Sequence, residues 1–388
     1  MEHGNSDKTI AKLILSDGTE FVGYSLGTKG TVIGEIVFTT GMTGYLETLT
    51  DPSYFGQIVI QTFPLIGNYG VNESDTESEK PWLSGYIIRD CCSRPSNFRS
   101  ENSLSEWLAN NNVISIQGID TRQLTKKIRE NGVMNGAITT EENIDKEELL
   151  NKIRDFKIKD AVKTVSASNK ANYSDSDFDY IEGLPKRFKG DKRKFKICLM
   201  DFGAKKNILK SLAERGADLV VVPYDTTVDQ IKEINPDGIM LSNGPGDPAE
   251  NTCVIENLKK IQELKIPIFG ICLGHQLLAL ANGAKTEKLK YGHRGANQPV
   301  VDVQIDRTLV TTQNHGYAVI GDSISDEVGF VSHYNANDKT CEGIEYRKIP
   351  AFTVQFHPEA CAGPQDTDYL FDRFFDLIDK NKNLKGGC

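Results

Sequence analysis

The sequence lacks the features that would place the protein in a membrane or outside the cell. None of its apolar runs approaches the ~20 residues that a membrane-spanning helix needs. Residues 1–8 are polar and contain no apolar stretch of the kind that secretory signal peptides carry. We therefore expect a cytoplasmic protein.

Signatures of metal, nucleotide and nucleic-acid binding are also missing. Cysteine occurs eight times in 388 residues, and no pair has the spacing of a zinc site. Without an export signal, these cysteines are expected to be reduced thiols rather than a disulfide framework. No Gly-x-x-x-x-Gly-Lys-Ser/Thr loop occurs, so no P-loop for ATP is predicted. The net charge of −9 argues against a nucleic-acid partner. We predict no metal and no cofactor in this chain.

What the sequence does contain is organised around one cysteine. The apolar run 266–271 predicts a buried strand, and the Leu- and Ala-rich stretch 273–281 predicts a helix. Cys272 lies at their junction, flanked by Gly270 and Gly274. This Gly-x-nucleophile-x-Gly pattern is typical of a strained nucleophile elbow, because glycines carry no Cβ that would clash in a tight turn.

The elbow would place Cys272 in a reactive environment. Its sulfur would stand at a helix N-terminus, where the helix dipole favours thiolate over thiol. The N–H of Leu273 would point to where an oxyanion forms, and Gln276 would share the helix face of the cysteine. Taken alone, the pattern also fits a cysteine that is buried in a core and inert.

A second motif, Val-Gln-Phe-His-Pro-Glu at 354–359, favours catalysis. It ends the apolar run 351–356, and side chains two apart on a strand point the same way, so His357 and Glu359 are predicted to face one site. Cysteine, histidine and an acid form a nucleophile, a base and a group that orients the base. A lone His-x-Glu would fit the end of a surface strand equally well.

Residues from 195 onward predict an α/β domain. Short apolar segments alternate with helical ones, which is typical of an open, mostly parallel sheet flanked by helices. Such sheets bind ligands outside the carboxyl ends of their strands, where the elbow and the loop 242–248 would both lie. By itself the loop, Ser-Asn-Gly-Pro-Gly-Asp-Pro, fits an ordinary turn as well. Residues 366–380 predict an amphipathic helix with a phenylalanine-rich core face.

Residues 1–190 predict a separate, β-rich α/β domain. Segments 41–54 and 64–70 are rich in turn residues and predict loops that join strands. Stretch 121–130 predicts a helix between an N-capping aspartate and a C-terminal glycine, and 141–156 predicts an amphipathic helix.

The domain boundary is predicted from a change in composition. Residues 166–193 are first rich in Ser, Asn and Asp and then in Lys and Arg, which predicts the tail of the first domain and an interdomain linker. The predicted domains are therefore 1–190 and 194–382.

The two motifs together resemble those of the class I glutamine amidotransferases. Gly-Ile-Cys-Leu-Gly-His-Gln and His-Pro-Glu both match that family, and the similarity spans 194–382. The resemblance implies a class I amidotransferase-like fold. It also implies hydrolysis of glutamine to glutamate and ammonia through a thioester on Cys272. In that chemistry His357 is the acid and base, and Glu359 orients it.

The same resemblance implies how glutamine is held. Gly244 and Leu273 would supply oxyanion N–H groups. The implied glutamine-binding residues of this domain are Gly244, Gly246, Leu273, Gln276, Asn314, Gly316 and Tyr317. Three histidines match family positions but are not assigned as the base: His275, His293 and His315. The chain departs from the family at Cys361-Ala362, where Ser-Pro is usual.

The first domain is similar to the N-terminal domain of carbamoyl-phosphate synthase small chains. The matching stretches are 34–38, 41–45, 49–54, 66–70 and 118–122. The resemblance implies that Ser53 reaches the glutamine bound by the second domain, although its sequence context alone predicts a turn serine. Thr39 departs from the Asn that is usual in the family.

These resemblances imply a glutaminase subunit that passes ammonia to a larger synthetase subunit. That partner would hold ATP and Mg and make carbamoyl phosphate from bicarbonate, as a heterodimer or a higher assembly. The sequence leaves open whether the product serves arginine or pyrimidine synthesis. Two alternatives remain: an amidotransferase for another synthetase, which the first domain argues against, and an inactive subunit, which the presence of Cys272 argues against.

Overall fold

The computed structural model describes residues 9–178 and 188–386. The chain forms two compact units, Met1–Lys159 and Asp160–Cys388. This division lies earlier than the boundary that composition suggested near residue 190. Part of the predicted linker, Ala171–Tyr173, pairs as a strand with the sheet of the second unit, which composition cannot reveal. Residues 179–187 of the predicted linker lie outside the described residues.

The first unit is built on a closed sheet of seven strands in the order β1-β2-β8-β6-β4-β3-β9. Their bounds are β1 Ile10–Leu15, β2 Glu20–Ser25, β3 Thr31–Thr39, β4 Gln57–Gln61, β6 Gly85–Ile87, β8 Ile114–Gln117 and β9 Met134–Thr139. Two short strands, β5 Leu65–Ile66 and β7 Asp90–Cys91, form a separate parallel pair. β-Branched residues dominate β3 and β4, and Ile36, Val37, Ile58 and Val59 are fully buried, as the pleated geometry of a packed sheet favours.

Helices of the first unit follow local capping signals, with one exception. They are α1 Tyr45–Thr50, α2 Leu104–Asn110, α3 Thr121–Asn131 and α4 Lys146–Asp155. The side chain of Asp120 caps α3, as predicted, by accepting from the backbone N–H of Gln123. Helix α4 begins five residues later than predicted, because Asp145 accepts from the N–H groups of its first turn.

The exception is α1, which lies in a segment that was predicted to be a loop. The hydroxyl oxygen of Tyr69 accepts hydrogen bonds from the backbone N–H groups of Gly44, at 2.8 Å, and of Tyr45, at 3.3 Å. These bonds satisfy two donors at the start of the helix that have no intrahelical acceptor. Because the capping group is distant in sequence, local sequence signals missed this helix.

The second unit is built on a ten-stranded sheet in the order β10-β12-β11-β13-β14-β19-β18-β16-β15-β17. Its strands are β10 Ala171–Tyr173, β11 Lys196–Asp201, β12 Asp218–Pro223, β13 Gly238–Leu241, β14 Ile268–Ile271, β15 Thr286–Asp302, β16 Arg307–Val319, β17 Gly329–Asn335, β18 Cys341–Tyr346 and β19 Ala351–Val354.

The α/β class is confirmed, but the sheet is parallel in one half only. Strands β12, β11, β13, β14 and β19 run parallel, whereas β10 and the strands from β15 to β18 pair antiparallel. In the described residues no α-helix separates the four strands from β15 to β18. Short connections join β15 to β16, β17 to β18 and β18 to β19, and these pairs must be antiparallel, since a parallel crossover needs a dozen or more residues.

Helices cover both faces of the parallel half. They are α5 Ala161–Val165, α6 Lys206–Glu214, α7 Val228–Ile234, α8 Thr252–Ile261, α9 Leu273–Ala281 and α10 Tyr369–Gly386. Residues of α7, α8 and α9 share one buried cluster with the sheet, and residues of α6 and α10 share another. The phenylalanine face predicted for the last helix is confirmed, because Phe371, Phe374 and Phe375 are fully buried. Among the helices that the structure describes, none is both long and apolar enough to cross a membrane.

Candidate active site

The turn between β14 and α9 is strained at the predicted nucleophile. Cys272 is the N-cap of α9 and has φ 51° and ψ −102°, a conformation that costs energy for a residue with a Cβ. Its two glycines are needed for close packing. A Cβ at Gly274 would lie 2.4 Å from the carbonyl oxygen of Leu241, and one at Gly270 would lie 2.9 Å from a methyl of Thr353. The predicted elbow is therefore present.

The sulfur of Cys272 is enclosed, with only 2% of the residue exposed. Its Sγ lies 3.7 Å from the carbonyl oxygen of Asn314, to which the thiol can donate. The side-chain amide of Gln355 donates to the same sulfur at 3.5 Å. At the start of α9 the backbone N–H groups have no intrahelical acceptor, which favours negative charge at this position.

The predicted base and acid meet directly. Nδ1 of His357 lies 2.7 Å from Oε1 of Glu359, and both side chains are fully buried. The predicted reason for their pairing is wrong, because β19 already ends at Val354 and both residues lie beyond it. The backbone N–H of His357 donates to the carbonyl oxygen of Thr312 at 2.9 Å, so a contact with β16 holds this segment.

A lysine that the sequence analysis missed completes the charge pattern. Nζ of Lys205 lies 3.1 Å from Oε1 of Glu359, and the side chain of Lys205 is 7% exposed. Burial raises the pKa of Glu359, but Lys205 and His357 outweigh burial and lower that pKa to about 2. Lys205 lies at the start of a helix and is followed by Lys206. Its sequence context therefore did not distinguish it from an ordinary solvent-exposed lysine.

The pKa of His357 moves in the opposite direction. Burial and the positive charge of Lys205 lower it, but Glu359 and the Cys272 thiol outweigh them and raise the pKa of His357 to about 9. The ring nitrogen Nδ1 is engaged by Glu359, and the thiol acts on the same imidazole. The arrangement can therefore hold a proton between sulfur and imidazole and stabilise the imidazolium that results.

Other described histidines are engaged elsewhere. His275 is fully buried against Thr353, and burial, together with His333, lowers the pKa of its imidazole to about 3. Burial also lowers the pKa of His315 well below its usual value, and its Nδ1 lies 2.8 Å from the carbonyl oxygen of Tyr317. Neither is coupled to both an acid and a thiol as His357 is.

One group of side chains has donor atoms suited to a metal ion. Ligand atoms of His293, His315 and Glu342 all lie within 4.8 Å of one another. Each already has protein partners: His293 lies 2.8 Å from Asp338 and 3.4 Å from Glu342, and His315 lies 3.1 Å from Gln313. The structure therefore favours a buried polar network here over a metal site.

One predicted glutamine-binding residue, Asn314, contacts the sulfur, and Gln276 and Tyr317 are linked to it through Gln355. Gln276 donates through Nε2 to the carbonyl oxygen of Tyr317 at 2.8 Å and to the side chain of Gln355 at 2.9 Å. Asn314 lies against Cys272 through its carbonyl oxygen. Residues from α9 and from β16 are thus brought to one place, although they are distant in sequence.

Of the predicted glycines, Gly244 and Gly246 lie in the loop after β13, and Gly316 lies on β16. A Cβ at Gly244 would lie 2.2 Å from the carbonyl oxygen of Phe202 and 2.8 Å from the side chain of Leu273, so the loop after β13 packs against the first residue of α9. Gly246 has φ 89°, which favours glycine. A Cβ at Gly316 would lie 3.2 Å from the guanidinium of Arg294.

Ser53 belongs to the first unit. Its backbone N–H donates to the carboxylate of Asp51 at 2.9 Å, and the residue is 8% exposed. The predicted contact of Ser53 with glutamine stays a prediction.

Comparison with known proteins agrees with the geometry. A family model described as carbamoyl-phosphate synthase small chain, CPSase domain, matches residues 13–138, and one for glutamine amidotransferase class-I matches residues 198–377. The chain is 48% identical to a carbamoyl phosphate synthase small chain of Syntrophotalea carbinolica, over 97% of this chain and 100% of that protein. It is 47% identical to one of Fusobacterium nucleatum, over 95% and 98% respectively, and 47% identical to one of Clostridium perfringens, over 94% and 98%. The chain belongs to the family of carbamoyl-phosphate synthase small chains.

Proposed function

We propose that this chain is the glutamine-hydrolysing subunit of a carbamoyl-phosphate synthase and that hydrolysis proceeds through a thioester on Cys272. The observation that carries this proposal is the convergence of three buried groups. The strained elbow presents the sulfur of Cys272, His357 is coupled electrostatically to that sulfur, and Glu359 lies 2.7 Å from the imidazole. A nucleophile, a base and an orienting acid in contact are the requirement for acyl transfer.

In the first half of the reaction, the proton that Cys272 and His357 share lies on Nε2 of His357, the form that the raised pKa of the imidazole favours, and the electron pair stays on sulfur. The thiolate attacks the side-chain amide carbon of glutamine. Backbone N–H groups of Leu273 and Gly244 stabilise the oxyanion, which the packing of the Gly244 loop against Leu273 supports. His357 then returns its proton to the leaving nitrogen, and ammonia departs.

In the second half, water replaces ammonia. His357 accepts a proton from the water as it attacks the thioester carbon, and the bond between that carbon and the sulfur breaks. Glutamate leaves and the thiol is restored. Glu359, held by Lys205, keeps Nδ1 of His357 engaged through both halves, so Nε2 always faces the reacting atoms.

Glutamine binding is proposed to use the residues that surround the sulfur. Both amide hydrogens of Gln276 are already donated to Tyr317 and Gln355, so its Oε1 is the atom available to accept from the substrate ammonium group. Backbone groups of Asn314, Gly316 and Tyr317 hold the α-carboxylate and amine. Gly246 and Ser53 complete the proposed contacts.

The ammonia is proposed to pass to the large subunit of the synthase. That partner holds ATP and Mg and makes carbamoyl phosphate from bicarbonate, for arginine or pyrimidine synthesis, in a cytoplasmic heterodimer or higher assembly. The family supports this assignment, and the sequence contains no P-loop with which the chain itself could bind ATP.

The test is Cys272→Ser in the complex with the large subunit. We expect loss of glutamine-dependent carbamoyl phosphate synthesis and retention of synthesis from added ammonia. A glutamine-like chloroketone should label Cys272 in the unmodified chain and no other thiol. Glutamine hydrolysis at the wild-type rate in the variant would exclude the thioester mechanism.

A further inference from the structure

Gln355 is a buried amide beside the nucleophile. It is the residue after β19, is fully buried, and its backbone N–H donates to the carbonyl oxygen of Glu342 at 2.9 Å. Its side chain contacts Gln276 on one side and Cys272 on the other. Nothing in its sequence context distinguishes it from the other buried residues of this segment.

The surrounding hydrogen bonds fix which end of the Gln355 amide faces the sulfur. The carbonyl oxygen of Tyr317 can only accept, so Gln276 must direct its Nε2 toward Tyr317. The same Nε2 also donates to Gln355, so Gln355 must present Oε1 to it. The Nε2 of Gln355 is then left for the sulfur of Cys272, at 3.5 Å.

The charge of the sulfur decides which of its contacts are favourable. A thiol can donate to the carbonyl oxygen of Asn314, but a thiolate cannot, and that oxygen then faces a negative charge. The hydrogen bond from the Gln355 amide is favourable to the thiol and to the thiolate. It is stronger to the thiolate, because hydrogen bonds to an ionised acceptor are about twice as strong as neutral ones. The low dielectric of a fully buried site increases the difference.

We infer that Gln355 donates a hydrogen bond that stabilises the Cys272 thiolate, and that Gln276 holds the Gln355 amide in the orientation this requires. The inference rests on the proposed thioester mechanism. No proton leaves Gln355: the thiol proton still goes to His357, and the amide stabilises the electron pair that remains on sulfur. Gln276 then has two roles, one toward the substrate and one toward the nucleophile.

The test measures the thiolate directly and does not require turnover. The complex is alkylated with iodoacetamide from pH 5 to pH 10, and the rate at Cys272 is followed by mass spectrometry of its peptide. We expect Gln355→Met to move the midpoint of the rate–pH profile to higher pH by about one to two pH units, the worth of a hydrogen bond to a charged group. Gln276→Met should move it in the same direction by less, because Gln355 keeps its amide but loses its fixed orientation.

Thr353→Val is the matched control. Thr353 is also fully buried, lies on β19 two residues before Gln355, and its hydroxyl contacts His275 at 2.8 Å rather than the sulfur. Its profile should keep the wild-type midpoint. At pH values above the midpoints of the wild-type and Gln355→Met profiles, Cys272 is fully ionised in both proteins. The alkylation rate of Gln355→Met should then reach at least the wild-type rate. A collapsed elbow would instead lower this rate at high pH.

A wild-type midpoint in Gln355→Met would overturn the inference, and so would an equal shift in Thr353→Val. These outcomes are independent of the proposed function, which fails only if Cys272→Ser still hydrolyses glutamine. Should Gln355→Met not fold, the Gln276→Met profile decides: the Gln355 amide would no longer be held toward the sulfur, so an unchanged midpoint would overturn the inference.

Discussion

Lys205 and His357 bind the same carboxylate oxygen. Oε1 of Glu359 lies 3.1 Å from Nζ of Lys205 and 2.7 Å from Nδ1 of His357, and the three side chains are almost completely buried. Lys205 thus keeps the acid ionised. In the proposed mechanism Lys205 supports the imidazole by holding Glu359 ionised.

The first prediction concerns Lys205→Met. Removing one partner of a buried ion pair costs about 3–5 kcal/mol, so the free energy of unfolding should fall by about that amount at pH 7. The pKa of Glu359 should rise from its lowered value toward that of an ordinary carboxyl group. A carboxyl group whose pKa is lowered by folding stabilises the folded state at pH values above its pKa in the unfolded state. Because the variant loses part of this lowering, its acid unfolding should begin at a higher pH than that of the wild type.

Circular dichroism from pH 7 to pH 2 would measure this effect. Lys206→Met is the matched control, because Lys206 is the adjacent residue and is exposed. Identical acid unfolding of the two variants would contradict the role assigned to Lys205.

The second prediction separates the base from the acid. His357→Asn should reduce glutamine turnover by about 10²–10⁴-fold, the usual cost of losing a general base. Glu359→Gln should reduce it less, because the acid orients the imidazole and does not itself transfer a proton. Steady-state glutaminase assays of the complex would measure both, with ammonia-dependent synthesis as the control for folding. A larger loss in Glu359→Gln would reverse the two assignments.

The third prediction concerns stability at alkaline pH. The pKa of His357 is raised from 6.5 to about 9, so its protonated form stabilises the folded state. This contribution should be complete below pH 6.5 and lost as the pH rises through about 9. Urea unfolding at pH 6, 7.5 and 9.5 should show that His357→Asn destabilises the protein most at pH 6. A destabilisation that does not change with pH would contradict the raised pKa.

The fourth prediction concerns Ser53, which lies in the first unit. A hydrogen bond to a charged group contributes about 1.5–3 kcal/mol, so Ser53→Ala should raise the KM for glutamine about tenfold or more with little change in kcat. Ser115→Ala is the matched control, because Ser115 is a fully buried serine of the same unit. An unchanged KM in Ser53→Ala would leave Ser53 as an ordinary turn residue.

The fifth prediction is that the isolated chain hydrolyses glutamine poorly and that its partner activates it. The chain shows no P-loop, and ammonia released without the synthetase would be lost. Binding of the partner can shift the Gly244 loop or the Cys272 elbow toward the arrangement in which both oxyanion N–H groups point at the substrate. The kcat for glutamine should rise stepwise when the large subunit, and then bicarbonate and ATP, are added. Full activity in the chain alone would contradict this prediction.

Much of the fold could be predicted because its signals are local. Helix α9 has the bounds that the sequence predicted, and α3 has its predicted N-cap. The elbow was also predictable, since a strand, two close-packed glycines and a helix follow one another within a few residues. The class I amidotransferase motifs directed attention to Cys272, His357 and Glu359, and the structure brings these three together.

Tertiary structure decided what depends on groups that are distant in sequence. Helix α1 is capped by Tyr69, the antiparallel half of the second sheet follows from its short connections, and a strand of that sheet comes from the predicted linker. In the site, Lys205 reaches Glu359 and Gln355 reaches Cys272 across separate strands and helices. A lysine or a glutamine in a sequence does not reveal its partner. Only folding removes water from these groups. Without water, the charge on a single carboxylate oxygen or a single sulfur is stabilised by the few side chains that remain in contact with it.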